Sequence, residues 1–147
     1  MPIYNFQMKR TASTTASMGN ITAQAVTRRG CVWDLVYGCE GVAADNAFLF
    51  RAHRCTTTGT GTTVLPNPND PADAACTGVA RENHTIEPTY TASQELLEIA
   101  MNQRSTFRWQ VDPTCGLIYP ATASNGIGWL TPTAPALAST IQVFFNE

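Results

Sequence analysis

The sequence predicts an all-β protein: one two-sheet antiparallel β-sandwich of jelly-roll-like topology, with one short helix in a long loop. Apolar and polar residues alternate with period two in several segments, as in half-buried strands. Clusters of Gly, Asn, Asp and Pro separate these segments at short intervals. The chain is rich in threonine and has one lysine, Lys9, a composition that suits strands and interfaces better than solvated helices.

The first segment, "IYNFQM", places Tyr4, Phe6 and Met8 on one face of a strand, and a Ser/Thr/Ala run follows it. We expect residues 1–20 to form an N-terminal strand or arm, and residues 21–147 to form a single β-sandwich domain. Such an arm is able to lie on a neighbouring subunit as an added strand.

Two further segments alternate in the same way. "CVWDLVYGC" predicts a strand with Asp34 on its polar face, and "NAFLFRAHRC" predicts the next strand. The residues expected on the core faces of these two strands are Cys31, Trp33, Leu35, Tyr37 and Cys39 in the first, and Phe48, Phe50 and Ala52 in the second.

A long connection runs from Cys55 to Gly78. Its end, "NDPADAACTG", predicts a short helix, because Asp70 suits an N-cap, Pro71 suits the first helical position and Gly78 suits the C-terminal end. Its glycine run "GTGTT" lacks the lysine that a phosphate-binding loop requires. Connections of this length tend to be functional or flexible.

The segment "TASQELLEIAMNQR" fits two structures. Thr91 and Gln94 match a helical capping box, followed by a helical apolar stripe. The same residues form a strand with Leu97, Ile99 and Met101 inward, and the neighbouring strands favour this interpretation.

The last two alternating segments are "STFRWQV" and "ALASTIQVFF". Both are predicted to be strands with one face on the core. The residues expected on their core faces are Phe107, Trp109 and Val111 in the first, and Leu137, Ile141, Val143 and Phe145 in the second.

The sequence predicts no catalytic residues and no enzyme. It contains no nucleophile elbow. Glu82, His84 and Glu87 cluster in "ARENHTIEP", but strand alternation places Glu87 on the opposite face from the other two.

No metal site and no cofactor are predicted. His53, Cys55, Cys76 and His84 are acceptable zinc ligands, but they lack paired ligand spacing. The five cysteines are an odd number, which argues against a disulfide framework, although a Cys55–Cys76 disulfide across the long connection stays open as an alternative.

The net charge of −2 and the 14% of charged residues give no basic footprint, so no direct nucleic-acid partner is expected. No apolar run is long enough to span a membrane. The N-terminus lacks a signal-peptide pattern, so synthesis in a cytoplasm is expected.

An alternative function for the chain is glycan binding, with the aromatic rings of Tyr90, Tyr119 and Trp129 as stacking platforms.

The segments "ENHTIEPTYTA", "NQRSTFRWQ" and "YPATASNGIGWLTPTA", together with "ADNAFLFRAHRCT" and "DPADAA", resemble a family of small virion structural proteins of tailed bacteriophages. The likeness runs from about residue 28 to the C-terminus and includes no chemical motif. It implies a capsid decoration or cement protein of the virion, which bridges capsid subunits and stabilises the expanded head. The implied partners are the major capsid protein and further copies of the chain, as a homotrimer. A tail or neck component is the alternative within the virion.

A cement protein holds a shell together through contacts alone. Arginines are suited to bidentate contacts with carboxylates on a shell. The residues predicted to form the interface are Tyr4, Phe6, Arg28, Arg29, Arg54, Glu87 and Trp129.

Overall fold

The structure is a computed structural model that describes residues 1–24, 26–133 and 136–147. Within these residues, twelve strands form two antiparallel sheets of six strands each. The strands are β1 (Ile3–Thr11), β2 (Gly19–Thr22), β3 (Gly30–Cys39), β4 (Ala47–Cys55), β5 (Thr60–Val64), β6 (Asn67–Pro68), β7 (Val79–Ile86), β8 (Tyr90–Asn102), β9 (Phe107–Gln110), β10 (Leu117–Tyr119), β11 (Gly126–Leu130) and β12 (Ala138–Asn146).

The first sheet has the order β10-β3-β12-β1-β6, and β9 also pairs with β3. The second sheet has the order β5-β7-β2-β11-β4-β8. The prediction of an all-β protein with antiparallel sheets is confirmed.

The inner faces of the two sheets share one core. Phe6 of the first sheet and Trp129 of the second have ring centroids 6.0 Å apart. Tyr37 and Phe50 meet across the sheets in the same way, at 5.1 Å. Such tilted aromatic pairs stabilise a core beyond the area that they bury.

Residues 1–20 contribute to this core in their own chain. β1 pairs with β12 over nine residues, from Ile3 opposite Asn146 to Thr11 opposite Ala138. The alternation of Tyr4, Phe6 and Met8 is as predicted, since all three are buried. The segment predicted to be an arm on a neighbouring subunit is therefore an inner strand here.

In the first half of β3, the residues that face the core are not the ones that the sequence predicts. Phe144 and Phe145 of β12 lie opposite Asp34 and Val32, so Trp33 is an extra residue in β3, a β-bulge. The bulge reverses the alternation, because Val32 is buried whereas Cys31 and Trp33 are only half-buried. The prediction that Cys31 and Trp33 face the core was wrong for this reason.

The predicted helix at residues 70–78 is absent, and this prediction was wrong. Asp70 accepts hydrogen bonds from the backbone N–H groups of Ala72 and Asp73, which closes a single turn. The Tyr4 hydroxyl then donates to the Ala74 carbonyl at 3.0 Å, and the Thr77 N–H donates to the Glu147 carboxylate at 2.7 Å. These distant partners hold the segment in a non-helical path.

The ambiguous segment around residues 91–104 is mainly strand. β8 pairs with β4 from Asn102 opposite Ala47 to Tyr90 opposite Cys55. Met101 is buried, and Leu97 and Ile99 pack against the core, so the preferred strand interpretation is confirmed.

We predict that Trp129→Ala lowers the free energy of unfolding by about 3–5 kcal/mol, the usual cost of removing a buried large aromatic side chain. Trp129 is 0% exposed. Trp109 lies on its predicted face but is only half-buried, so Trp109→Ala should cost less, about 1–3 kcal/mol.

Urea unfolding followed by circular dichroism measures both values. A larger loss for Trp109→Ala than for Trp129→Ala would contradict the placement of the two tryptophans.

Candidate functional site

Three of the predicted interface residues are not on the surface. Tyr4, Phe6 and Trp129 are buried in the shared core, and their aromatic rings contact one another or Phe145. The interface prediction for these three residues is corrected accordingly, because their side chains fill the space between the sheets.

Two other predicted interface residues have partners within the chain. The Arg54 guanidinium donates to the Ile118 carbonyl at 2.9 Å. Glu87 accepts hydrogen bonds from Ser17 and lies 3.5 Å from Arg10. Arg28 and Arg29 are exposed, and neither forms an ion pair within the described residues.

A buried polar cluster, which sequence alternation did not predict, surrounds Ser17. The Ser17 hydroxyl donates to Glu87 Oε2 at 2.6 Å and lies 3.3 Å from His84 Nδ1. His84 Nε2 lies 3.2 Å from Asn20 Oδ1. The Arg10 guanidinium donates to the Ser17 carbonyl at 2.9 Å.

This Ser17 cluster joins the segment after β1 to strands β2 and β7. Ser17 is fully buried, and its hydroxyl hydrogen is directed to the Glu87 carboxylate rather than to His84. The cluster therefore holds the connection between β1 and β2 against the second sheet. It does not present Ser17 to an incoming substrate.

Burial lowers the pKa of His84, because desolvation disfavours the charged imidazolium; the Glu87 carboxylate acts in the opposite direction. His84 is consequently a neutral hydrogen-bonding group of the cluster at neutral pH.

The cysteines and histidines considered as zinc ligands are separated. His53 Nε2 lies 2.8 Å from the Thr91 carbonyl, and its ring stacks on Tyr90 with centroids 5.3 Å apart. No group of three or more His, Cys, Asp or Glu side chains in the described ranges is close enough to hold a metal ion.

The alternative of a Cys55–Cys76 disulfide was wrong. Both residues carry free thiols. Burial raises the pKa of Cys55 to about 11 and that of Cys76 to about 12, so both are protonated and weakly reactive at neutral pH.

The three aromatic residues considered for glycan stacking do not form an exposed platform. Trp129 and Tyr119 are buried. The Tyr90 hydroxyl is also buried, and its ring stacks on His53. These three rings therefore offer no exposed platform on which a glycan could stack.

The outer face of the first sheet is polar and carries ion pairs. The Lys9 ammonium lies 2.9 Å from the Glu40 carboxylate. Arg108 makes a bidentate contact to Asp34, at 3.0 and 2.6 Å. Asp34 is 2% exposed, so Arg108 covers a carboxylate that would otherwise be buried without a counter-charge.

A cavity of about 250 Å³ opens beside this outer face. Arg29 and Asn146 are the polar residues of its wall that make no ion pair or side-chain hydrogen bond to another described residue. Its other wall residues include Cys31, Pro113, Thr114 and Ile118.

In comparisons with known proteins, no family model matches the chain, and neither a curated protein nor a solved structure matches it significantly. Across residues 1–24, 26–133 and 136–147, none of the elements is a helix of the length and apolarity that a membrane crossing requires.

We predict that His84→Gln weakens the dependence of stability on pH. The folded-state pKa of His84 lies below the value of about 6.5 for an unfolded chain, so the unfolded state binds the proton more readily. The contribution of His84 to stability is therefore present above about pH 6.5 and is lost as the pH falls below it.

Urea unfolding at about pH 7.5 and about pH 5.5 checks this, since the wild type should lose more stability between the two values than His84→Gln. His53→Gln keeps His84 and serves as the matched control. An equal loss in the wild type and His84→Gln would rule out the burial effect.

Proposed function

We propose that the chain is a virion structural protein that decorates or cements a capsid, bridges capsid subunits and stabilises the expanded head. The resemblance of its segments to small virion proteins of tailed bacteriophages supports this proposal. The major capsid protein is the proposed partner, and a homotrimer in the virion is the proposed assembly. No catalytic residue is part of the proposal.

The observation that carries the proposal is the self-contained core between two sheets. β1 and β12 pair with each other along nine residues, and their inward side chains are buried. Such a unit needs no partner to complete its core. Its loops and polar outer faces are left for contacts with a shell.

The path of the chain supports a jelly-roll-like sandwich as the finer fold. Most connections lead from one sheet to the other, and β2, β11, β4 and β8 lie side by side although they are distant in sequence. Double-sheet jelly rolls of this kind are common in viral capsid proteins.

The proposed trimer explains how modest contacts give firm binding. One contact of standard size buries about 1,600 Å². Three copies linked on a local threefold axis raise the overall affinity by a factor of about 10²–10⁴ without any new kind of contact. Clamping capsid subunits in this way would resist the outward pressure of a packaged genome.

A tail or neck component is the second candidate within the virion, because the same fold and surface suit any protein shell. Glycan binding has less support, since Trp129 and Tyr119 are buried. The location of the chain in the particle separates the first two candidates.

We predict that the purified chain binds saturably to expanded heads that lack it, and that it raises the temperature at which those heads release DNA. Unexpanded heads are the matched control, and they should bind less, because the capsid contacts form on expansion. Electron microscopy and heat-release assays measure the two effects.

Density for the chain on tails or necks and not on heads would replace the cement proposal with the second candidate. The absence of the chain from the whole particle would refute a virion role.

A further inference from the structure

Arg28 and Arg29, at the end of the connection between β2 and β3, differ from the other cationic side chains in having no partner within the described residues. Lys9, Arg10, Arg51 and Arg108 each pair with a carboxylate. Arg54, Arg81 and Arg104 each donate to a backbone carbonyl. Arg28 and Arg29 have neither kind of partner among the described residues, and both are exposed.

Arg29 and Asn146 both belong to the wall of the 250 Å³ cavity. Asn146 is 5% exposed, and its Oδ1 is buried without a hydrogen-bond partner. A buried amide with no partner is uncommon in folded proteins. That unpaired oxygen is an acceptor and does not itself recognise an anion. The Nδ2 group makes no hydrogen bond to another described residue and is not among the buried unpaired atoms, so it is the donor that Asn146 offers to a ligand.

The rest of the wall is largely apolar. Ile118 and Pro113 contribute carbon surface, and the Cys31 thiol is occupied by a hydrogen bond to the Pro113 carbonyl at 3.1 Å. Among the residues that the structure describes, no Asp or Glu belongs to the wall. The cavity thus combines carbon surface with a cation and an amide donor.

The size of the cavity limits what fits. Sites for small-molecule ligands usually span about 300–1,000 Å³, so 250 Å³ suits a single amino-acid side chain of a larger partner. A glutamate side chain has two methylene groups for the apolar wall and a carboxylate for Arg29 and Asn146. A guanidinium and a carboxylate form strong, geometrically specific hydrogen bonds.

We propose that this cavity is a docking pocket for a glutamate side chain of a partner protein, held by Arg29 and the Asn146 amide, with the neighbouring Arg28 adding positive charge to the same exposed segment. The inference rests on the proposed function, in which the partner is the major capsid protein. An acidic segment of the shell would then dock at the β2–β3 connection, beside the polar outer face of the first sheet.

The binding chemistry is tested with two capped peptides, acetyl-Ala-Glu-Ala-amide and acetyl-Ala-Gln-Ala-amide, added to the ¹⁵N-labelled full chain. The glutamate peptide should shift the Asn146 side-chain and Gly30 backbone NMR signals saturably. The glutamine peptide should bind at least about tenfold more weakly, because it lacks the charge that Arg29 recognises.

Arg29→Ala should weaken binding of the glutamate peptide by about tenfold or more, whereas Arg104→Ala, which removes the same charge from a distant loop, should leave it unchanged. Equal binding of both peptides, no saturable shift, or an equal loss in Arg104→Ala would overturn the pocket. Because Arg29 is exposed, its removal leaves the fold intact, and the dispersion of the NMR spectrum verifies this.

Head binding separates failure of the pocket from failure of the proposed function. If the wild-type chain and Arg28→Ala/Arg29→Ala bind expanded heads equally, the pocket is wrong and the cement role stands. If the wild type binds and the double variant binds at least about tenfold more weakly, the pocket is supported. If the wild type binds no part of the particle, the proposed function and the capsid assignment of the partner fail together.

Discussion

The contact of aromatic side chains between the two sheets is the constraint on which the rest of the structure depends. Phe6 and Trp129 join the sheets at one place, and Tyr37 and Phe50 join them at another. Because side chains alternate along a strand, the choice of these inward residues fixes which residues face outward. The polar outer face with Lys9 and Arg108 is a consequence of the core.

The sequence predicted those parts of the fold that depend on local alternation. Tyr4, Phe6 and Met8 were placed correctly, because period two is a property of the strand itself. The bulge at Trp33 was not predictable, since it depends on the pairing of β3 with Phe144 and Phe145 of β12. One inserted residue was enough to reverse the predicted faces of Cys31 and Trp33.

Interactions between distant residues explain the other differences. The N-cap and glycine signals of residues 70–78 were sound local chemistry, but hydrogen bonds from Tyr4 and to Glu147 prevailed over them. In the Ser17 cluster, Ser17 contacts His84 and Glu87, which lie 67 and 70 positions away from it in the sequence. The "ENH" stretch suggested that His84 matters, but nothing in the sequence indicated Ser17 as its partner. Arg28 and Arg29 are exposed, as expected from the sequence because charged side chains are rarely buried without a partner; their place in an interface stays a prediction.

The self-contained core also determines how this chain is able to bind a partner. An N-terminal arm laid on the surface of a neighbouring subunit would require β1 to leave β12 and to expose the apolar side chains of Tyr4 and Phe6, and the free-energy cost of this exposure exceeds the gain from a surface contact. Binding with β1 left in place would keep the folded shape unchanged, so that little free energy would be lost in ordering the chain. In the proposed cement role, the Arg29 pocket would supply specificity, and the linked copies would supply strength. In the proposed trimer the three copies reach the shell together, so each contact can stay modest while the linked set binds firmly.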